Sequence, residues 1–130
     1  MIVDTTFVID IMRKDERALL KLKQFVSRGE PQIVTVLTLF ELYSGIMQSN
    51  KPDVEKQRVL QILSNLIIWH FDAESAEKSG EIDGGLCKQG KKIDTVDSMI
   101  AGIAIAKGER LLTRNIKDFS KIVGLDIESY

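Results

Sequence analysis

Five acids stand where carboxylates could act on a phosphodiester: Asp4, Glu41, Asp94, Asp97 and Asp118. Asp4 closes the apolar run Met1-Ile2-Val3, which reads as a short buried strand. Glu41 falls one helical turn beyond a second strand, Ile33-Val34-Thr35-Val36. Asp94 and Asp97 open the helix that precedes a further strand, Arg110-Leu111-Leu112-Thr113, and Asn115 and Asp118 follow that strand closely. In open parallel sheets ligands sit outside the carboxyl ends of the strands, so these distant acids are expected to meet at one sheet edge. Crowded carboxylates raise one another's pKa and call for a counter-cation. All-oxygen ligation suits Mg2+ or Mn2+, and a bound pair of ions can activate water and stabilise both the attacking and leaving oxygens.

Taken singly, each acid has a structural alternative. Asp4 could simply start a turn. Thr38-Leu39-Phe40-Glu41 has the form of a capping box, with Thr38 bonding the Glu41 amide and Glu41 reaching back. Asp94 fits a helix N-cap, Asp97 a first-turn acid that complements the helix dipole, and Asp118 a helix-start acid. The chemical reading therefore rests on joint placement. His70 and Trp69 lie in an apolar run and read as structural, and Cys87 as a small packed hydrophobe. Lys91, Lys92, Lys107, Arg110, Arg114 and Lys117 make the C-terminal third basic, either as a solvated surface or as a rim guiding a phosphate backbone towards the acids.

The elements that must position these residues alternate. Phe7 to Arg28 reads as one helix with Leu19, Leu20, Leu22, Phe25 and Val26 as its inner stripe, stopped by Gly29 and Pro31. Helices are further predicted over Thr38–Met47, Asp53–Leu66, Ala73–Gln89 (with Gly84-Gly85 a weak point) and Asp97–Lys107. Ile67–Phe71 reads as a third strand, and Ile127 could lie in a short fifth. Strands separated by helices imply a parallel sheet covered on both faces, an α/β fold. Apolar residues on the early helices, among them Phe7, Ile11, Met12, Leu39 and Met47, are expected in the core, with a dimer surface or partner groove as the second reading.

Composition bounds the possibilities. The chain has 130 residues, 44% hydrophobic and 28% charged, with net charge −1; this suffices for one domain, residues 1–130, and excludes disorder. No bulk positive charge is available for purely electrostatic nucleic-acid binding. One cysteine and one histidine exclude a Cys/His metal cluster. No signal peptide or membrane span is evident, so a cytoplasmic protein with no membrane partner is expected.

Three blocks together resemble PIN-domain endoribonucleases, in particular the VapC-like toxins of prokaryotic toxin–antitoxin pairs. They are Ile2-Val3-Asp4-Thr5-Thr6, then Thr38-Leu39-Phe40-Glu41-Leu42-Tyr43-Ser44-Gly45, and then Ile93-Asp94-Thr95-Val96-Asp97 through Thr113-Arg114-Asn115 and Asp118-Phe119. The resemblance implies a three-layer α/β/α fold with a short parallel sheet of four to five strands. It also implies Mg2+- or Mn2+-dependent cleavage of RNA, a homodimer and a cognate VapB-like antitoxin. Asp4, Glu41 and Asp97 match the family's three main acids and metal ligands. Asn115 stands where many members carry a fourth acid, which leaves one or two metals open; Asp118 could compensate. Thr6 replaces the family's serine, and with Asn115 and Asp118 is expected to position water or substrate. The competing readings are a receiver-like phospho-acceptor domain with a Mg2+-binding acidic pocket, or an interaction module that kept the fold and lost its chemistry. The first is disfavoured because a receiver pairs two acids after its first strand and places a lysine after its last.

Overall fold

The computed structural model describes residues 1–130. Its elements run β1 (Ile2–Val3), α1 (Thr5–Met12), α2 (Glu16–Ser27), β2 (Ile33–Thr35), α3 (Val36–Gln48), α4 (Pro52–Leu63) and β3 (Ile67–Trp69). They continue as α5 (Ala73–Lys88), α6 (Thr95–Lys107), β4 (Leu111–Leu112), α7 (Ile116–Phe119) and β5 (Ile127–Glu128). All strand pairings are parallel, in the order β3-β2-β1-β4-β5.

The strands are too short to alternate visibly in sequence, yet they sort their side chains by face. Ile2 lies opposite Ile33 and Leu111 in register, and all three join one core with Ile100, Ile103 and Phe119 from α6 and α7. Val3, Val34 and Leu112 point the other way, into a second core with Phe7, Val8, Phe25, Leu42 and Val59 from α1 to α4. Helices thus cover both faces, giving the expected three layers. From β1 the chain steps outward through β2 to β3, whereas β4 returns to the opposite side of β1. The strand order reverses between β1 and β4, so the crevice beyond their carboxyl ends is the topological switch point.

Several boundaries differ from expectation for identifiable reasons. The helix expected over Phe7–Arg28 is two helices. Lys14 has φ 58°, a left-handed conformation that a right-handed helix cannot contain. Asp15 then restarts the chain, its carboxylate accepting from the Arg17 and Ala18 amides at 3.0 Å. The break turns Leu20 and Val26 to solvent, 59% and 69% exposed, while Ala18 and Phe25 point inward. Helix α5 runs unbroken through Gly84 and Gly85. Cys87 is exposed rather than packed, and His70 lies exposed just beyond β3 rather than within it. Of the early-helix apolar residues, Phe7 is core and Ile11, Met12 and Leu39 pack against it, whereas Met47 is 79% exposed.

The helix that carries Asp97 is held by an unusually close contact. A β-carbon on Gly102 of α6 would stand 1.9 Å from the Ser79 hydroxyl and 2.8 Å from backbone atoms of Ser75 and Ser79 on α5. Only glycine allows that approach. The Ser79 hydroxyl donates to its own helix at Ser75 O (2.7 Å) and lies 3.3 Å from Met99 O of α6.

Candidate active site

Asp4 is the residue at which β1 becomes α1. Its amide donates to Leu112 O of β4 at 2.9 Å, and its carboxylate caps α1 by accepting from the Thr5 amide at 2.7 Å. The second carboxylate oxygen accepts from the Thr113 hydroxyl at 2.8 Å and from the Thr6 hydroxyl at 3.1 Å. The expected turn-starting role of Asp4 is therefore seen as the N-cap of α1. Burial raises its pKa above the usual carboxylate value, and the hydrogen bonds from Thr113, Thr5 and Thr6 pull it back.

Glu41 is not engaged in a capping box. Helix α3 begins earlier than expected, and its N-cap is Thr35, which accepts from the Thr38 amide at 3.3 Å. Glu41 therefore sits in the second turn, where its carboxylate accepts from the Thr5 hydroxyl at 2.6 Å. The Thr5 hydroxyl is also 3.0 Å from that of Thr38; having one proton and a carboxylate to give it to, it must accept from Thr38. Burial pushes the Glu41 pKa up, the Thr5 bond opposes this, and the charges of Asp4 and Asp94 add to the rise.

Asp94 is the N-cap of α6, accepting from the Val96 amide at 2.9 Å, as its spacing suggests. That places Asp97 in the first turn, half-buried. Its pKa is raised to about 7, first by burial and then by the charges of Asp4, Asp94, Glu41 and Asp118. Acids at the end of β1, on α3, at the start of α6 and on α7 therefore act on one another at one edge of the sheet. Asn115 lies between two of them, its amide 3.3 Å from Asp97 Oδ2 and 3.2 Å from Asp118 Oδ2. Asp118 differs from the rest, because its ion pair with Lys121 (3.1 Å) holds its pKa below the usual value, assisted by Asn115. Asp4, Glu41, Asp94 and Asp97 have no basic partner. No three His, Cys, Asp or Glu side chains are placed so that together they could hold one metal ion, so Asp4, Glu41 and Asp97 do not form the three-acid set expected.

Thr5 and Thr113 were given no role from the sequence and Thr38 only that of a helix cap, yet all three are buried: Thr5 and Thr113 donate to Glu41 and Asp4, and Thr38 supports Thr5. The Asn115 amide donates to the Thr113 hydroxyl at 2.9 Å, which in turn donates to Asp4. The only sequence signal for Thr113 is its place at the end of the strand that pairs with β1. The expected basic rim is reduced. Lys107 pairs with Asp72 at 2.7 Å, and Arg110 pairs with Glu30 and Glu128 at 2.8 Å each. Arg110 precedes β4, and Lys107 ends the helix that Asp97 begins, so both lie towards the opposite edge. Glu41 also lines a groove of about 410 Å3 between α1, α3 and α4, with Met12, Arg13, Ile46 and Arg58.

An acidic crevice at the switch point of a short α/β/α sheet defines a class of protein, and comparison gives its family. The PIN domain model matches residues 1–125. Ribonuclease VapC2 of Haemophilus influenzae is 30% identical over 128 residues, covering 98% of this chain and 96% of that protein. The tRNA(fMet)-specific endonuclease VapC of Salmonella typhimurium is 28% identical over 130 residues, covering 100% and 96%. Among solved structures, VapBC2 of Rickettsia felis bound to a promoter DNA fragment superposes with TM-score 0.92 at 26% identity, covering 99% of this chain and 97% of that one. The DNA-bound VapBC of Salmonella typhimurium gives 0.88 at 29% identity, covering 98% and 96%. The chain belongs to the PIN domain family, among its VapC ribonucleases.

Proposed function

We propose that the chain is a metal-dependent endoribonuclease and the toxin of a type II toxin–antitoxin pair. The observation that carries the reading is the set of four carboxylates without a basic partner, from Asp4, Glu41, Asp94 and Asp97, gathered at the switch point of the sheet. In a chain that aligns end to end with named ribonucleases, such uncompensated charge fits a divalent cation held through oxygen. Mg2+ commonly takes one or two carboxylates and completes its shell with water and substrate phosphate, so a finished three-acid cage is not required. Asp4 and Asp97 are the proposed direct ligands, and Glu41 joins them directly or through a water. When bound, the ion lowers the pKa of a water and neutralises charge on the phosphate.

The chain's own residues supply the rest. The Thr5, Thr6 and Thr113 hydrogen bonds fix the Asp4 carboxylate and leave it no freedom to rotate away. Glu41, half-buried with a raised pKa, is suited to accept a proton from the attacking water. Thr6 and Asn115 orient water or substrate at the edge of the site, and Asp118 holds Asn115. Cleavage of RNA in the presence of Mg2+ or Mn2+ tests the reading: Asp4→Asn and Asp97→Asn should each abolish it while circular dichroism stays native. Wild-type rates in either variant would remove that residue from the reaction.

The relatives of known structure named above are VapBC assemblies, and we propose a VapB-like antitoxin for this chain on that basis. Homodimerisation is proposed from the exposed stripe Phe40, Tyr43 and Met47 on one side of α3, 65%, 38% and 79% exposed. An apolar stripe of that kind is what a protein partner covers. No helix of the chain is long and apolar enough to cross a membrane.

A further inference from the structure

We propose that Arg114 grips a phosphate of the RNA strand beside the acidic crevice, and that Asp10 and Tyr130 are positioning residues that aim it. The inference rests on the nuclease reading above and adds a substrate contact to it.

Arg114 stands between two residues that touch site acids: Thr113 donates to Asp4, and Asn115 to Asp97. Its Nε lies 3.1 Å from Asp10 Oδ2. The Asp10 side chain is only 4% exposed, whereas that of Arg114 is 43% exposed. The same Asp10 oxygen accepts from the Tyr130 hydroxyl at 2.6 Å. The Tyr130 ring is fixed edge-on against Phe7, with centroids 5.0 Å apart. Contacts thus run from Phe7 through Tyr130 and Asp10 to Arg114.

Asp10 holds Arg114 as an ion pair at Nε, and the two terminal guanidinium nitrogens make no hydrogen bond within the protein. They form a planar fork, the geometry that binds phosphate through two parallel N–H bonds. A guanidinium already held by a buried carboxylate loses less freedom on binding than a loose side chain. The other basic residues of the C-terminal third lack this combination. Lys107, Arg110 and Lys121 are tied to acids, while Lys91, Lys92 and Lys117 are exposed with no ion pair to orient them.

Steady-state cleavage of a labelled single-stranded RNA, measured across a salt series with Mn2+ present, tests the proposal. Arg114→Gln should raise KM about tenfold with kcat nearly unchanged, the loss expected of one charge-assisted contact. It should also flatten the slope of log kcat/KM against log salt by about 0.7, the value for one phosphate on a single strand. Asp10→Asn separates aiming from bulk charge. It makes the protein more positive, so a purely electrostatic role for Arg114 predicts a lower KM, whereas a positioning role predicts a higher one. Tyr130→Phe, which keeps all charges, should raise KM in the same direction by a smaller factor. It keeps the positioning role testable should Asp10→Asn not fold. An Arg114→Gln enzyme with wild-type KM and salt slope overturns the proposal and leaves the nuclease reading standing. A wild-type protein that neither cuts nor binds the RNA removes both.

Discussion

A hydroxyl has one proton to give, and at position 5 it goes to Glu41 at 2.6 Å. Losing that donor leaves the carboxylate half-buried and less supported, so its pKa must climb further. Thr5→Val keeps the shape and removes the bond. The acid limb of the pH–rate profile should then move about one pH unit higher, with Thr5→Ser restoring it. An unmoved limb would separate Glu41 from the proton transfer. Asp97 makes a second case, read through stability. Its carboxyl holds a proton to about pH 7 in the fold but only to 3.8 as a free side chain. Between those values the folded state binds more protons than the unfolded one, so this contribution to stability is full below about pH 4 and is lost as pH rises to about 7. In protein stripped of divalent ions, Asp97→Asn should therefore melt higher than wild type near pH 8, by about 4 °C for each kcal/mol of repulsion relieved. The gap should close near pH 4. A calorimetric series in chelator measures it, and equal melting temperatures at all pH values would contradict the cause assigned to the shift.

At the scale of elements, the Asp97 helix is placed by Gly102. A methyl group there meets backbone as well as the Ser79 hydroxyl, so trimming the serine cannot make room. Gly102→Ala should cost about 1–3 kcal/mol in urea unfolding, the usual range for overpacking, and Ser79→Ala in the same chain should recover only part of it. Full recovery would mean that the hydroxyl alone sets the spacing. That contact was not legible in the sequence, where Gly102 is one small residue in an Ala- and Ile-rich helix. What was legible were features written locally: the apolar runs of β1 to β4, the capping Asp94 now seen at the start of α6, and the stop at Gly29. Patterning failed where one backbone conformation decides the outcome. Lys14 carries no glycine-like signal for φ 58°, so the apolar periodicity on either side of it ran together into one helix. It failed again at Thr38, because Thr35 and Thr38 can each cap a helix that begins near them, and tertiary demand on Glu41 favours the earlier one.

Over the whole molecule, net charge −1 conceals a polarised layout. Arg110, which precedes β4, pairs with Glu30 and Glu128, and Lys107 with Asp72, while Asp4, Glu41, Asp94 and Asp97 have no basic partner. The acids at strand ends were readable because sheet topology maps sequence order onto space. Their supports were not, since Thr113 meets Asp4 across 109 residues and Tyr130 meets Asp10 across 120, separations to which no local pattern points. Folding therefore stores repulsion at one edge, and a divalent cation bound there should stabilise the entire chain. A ligand that binds only the folded state at 100 times its Kd adds about 2.7 kcal/mol. Mn2+ should accordingly raise the wild-type melting temperature near pH 8. The gain should shrink towards pH 5, because the ion must displace the proton that Asp97 holds up to about pH 7. Asp97→Asn should show little of either effect, whereas Arg114→Gln, outside the carboxylate set, should show both. Scanning fluorimetry of the three proteins across pH reads this directly. A Mn2+ shift that survives in Asp97→Asn would place the cation away from the acidic crevice.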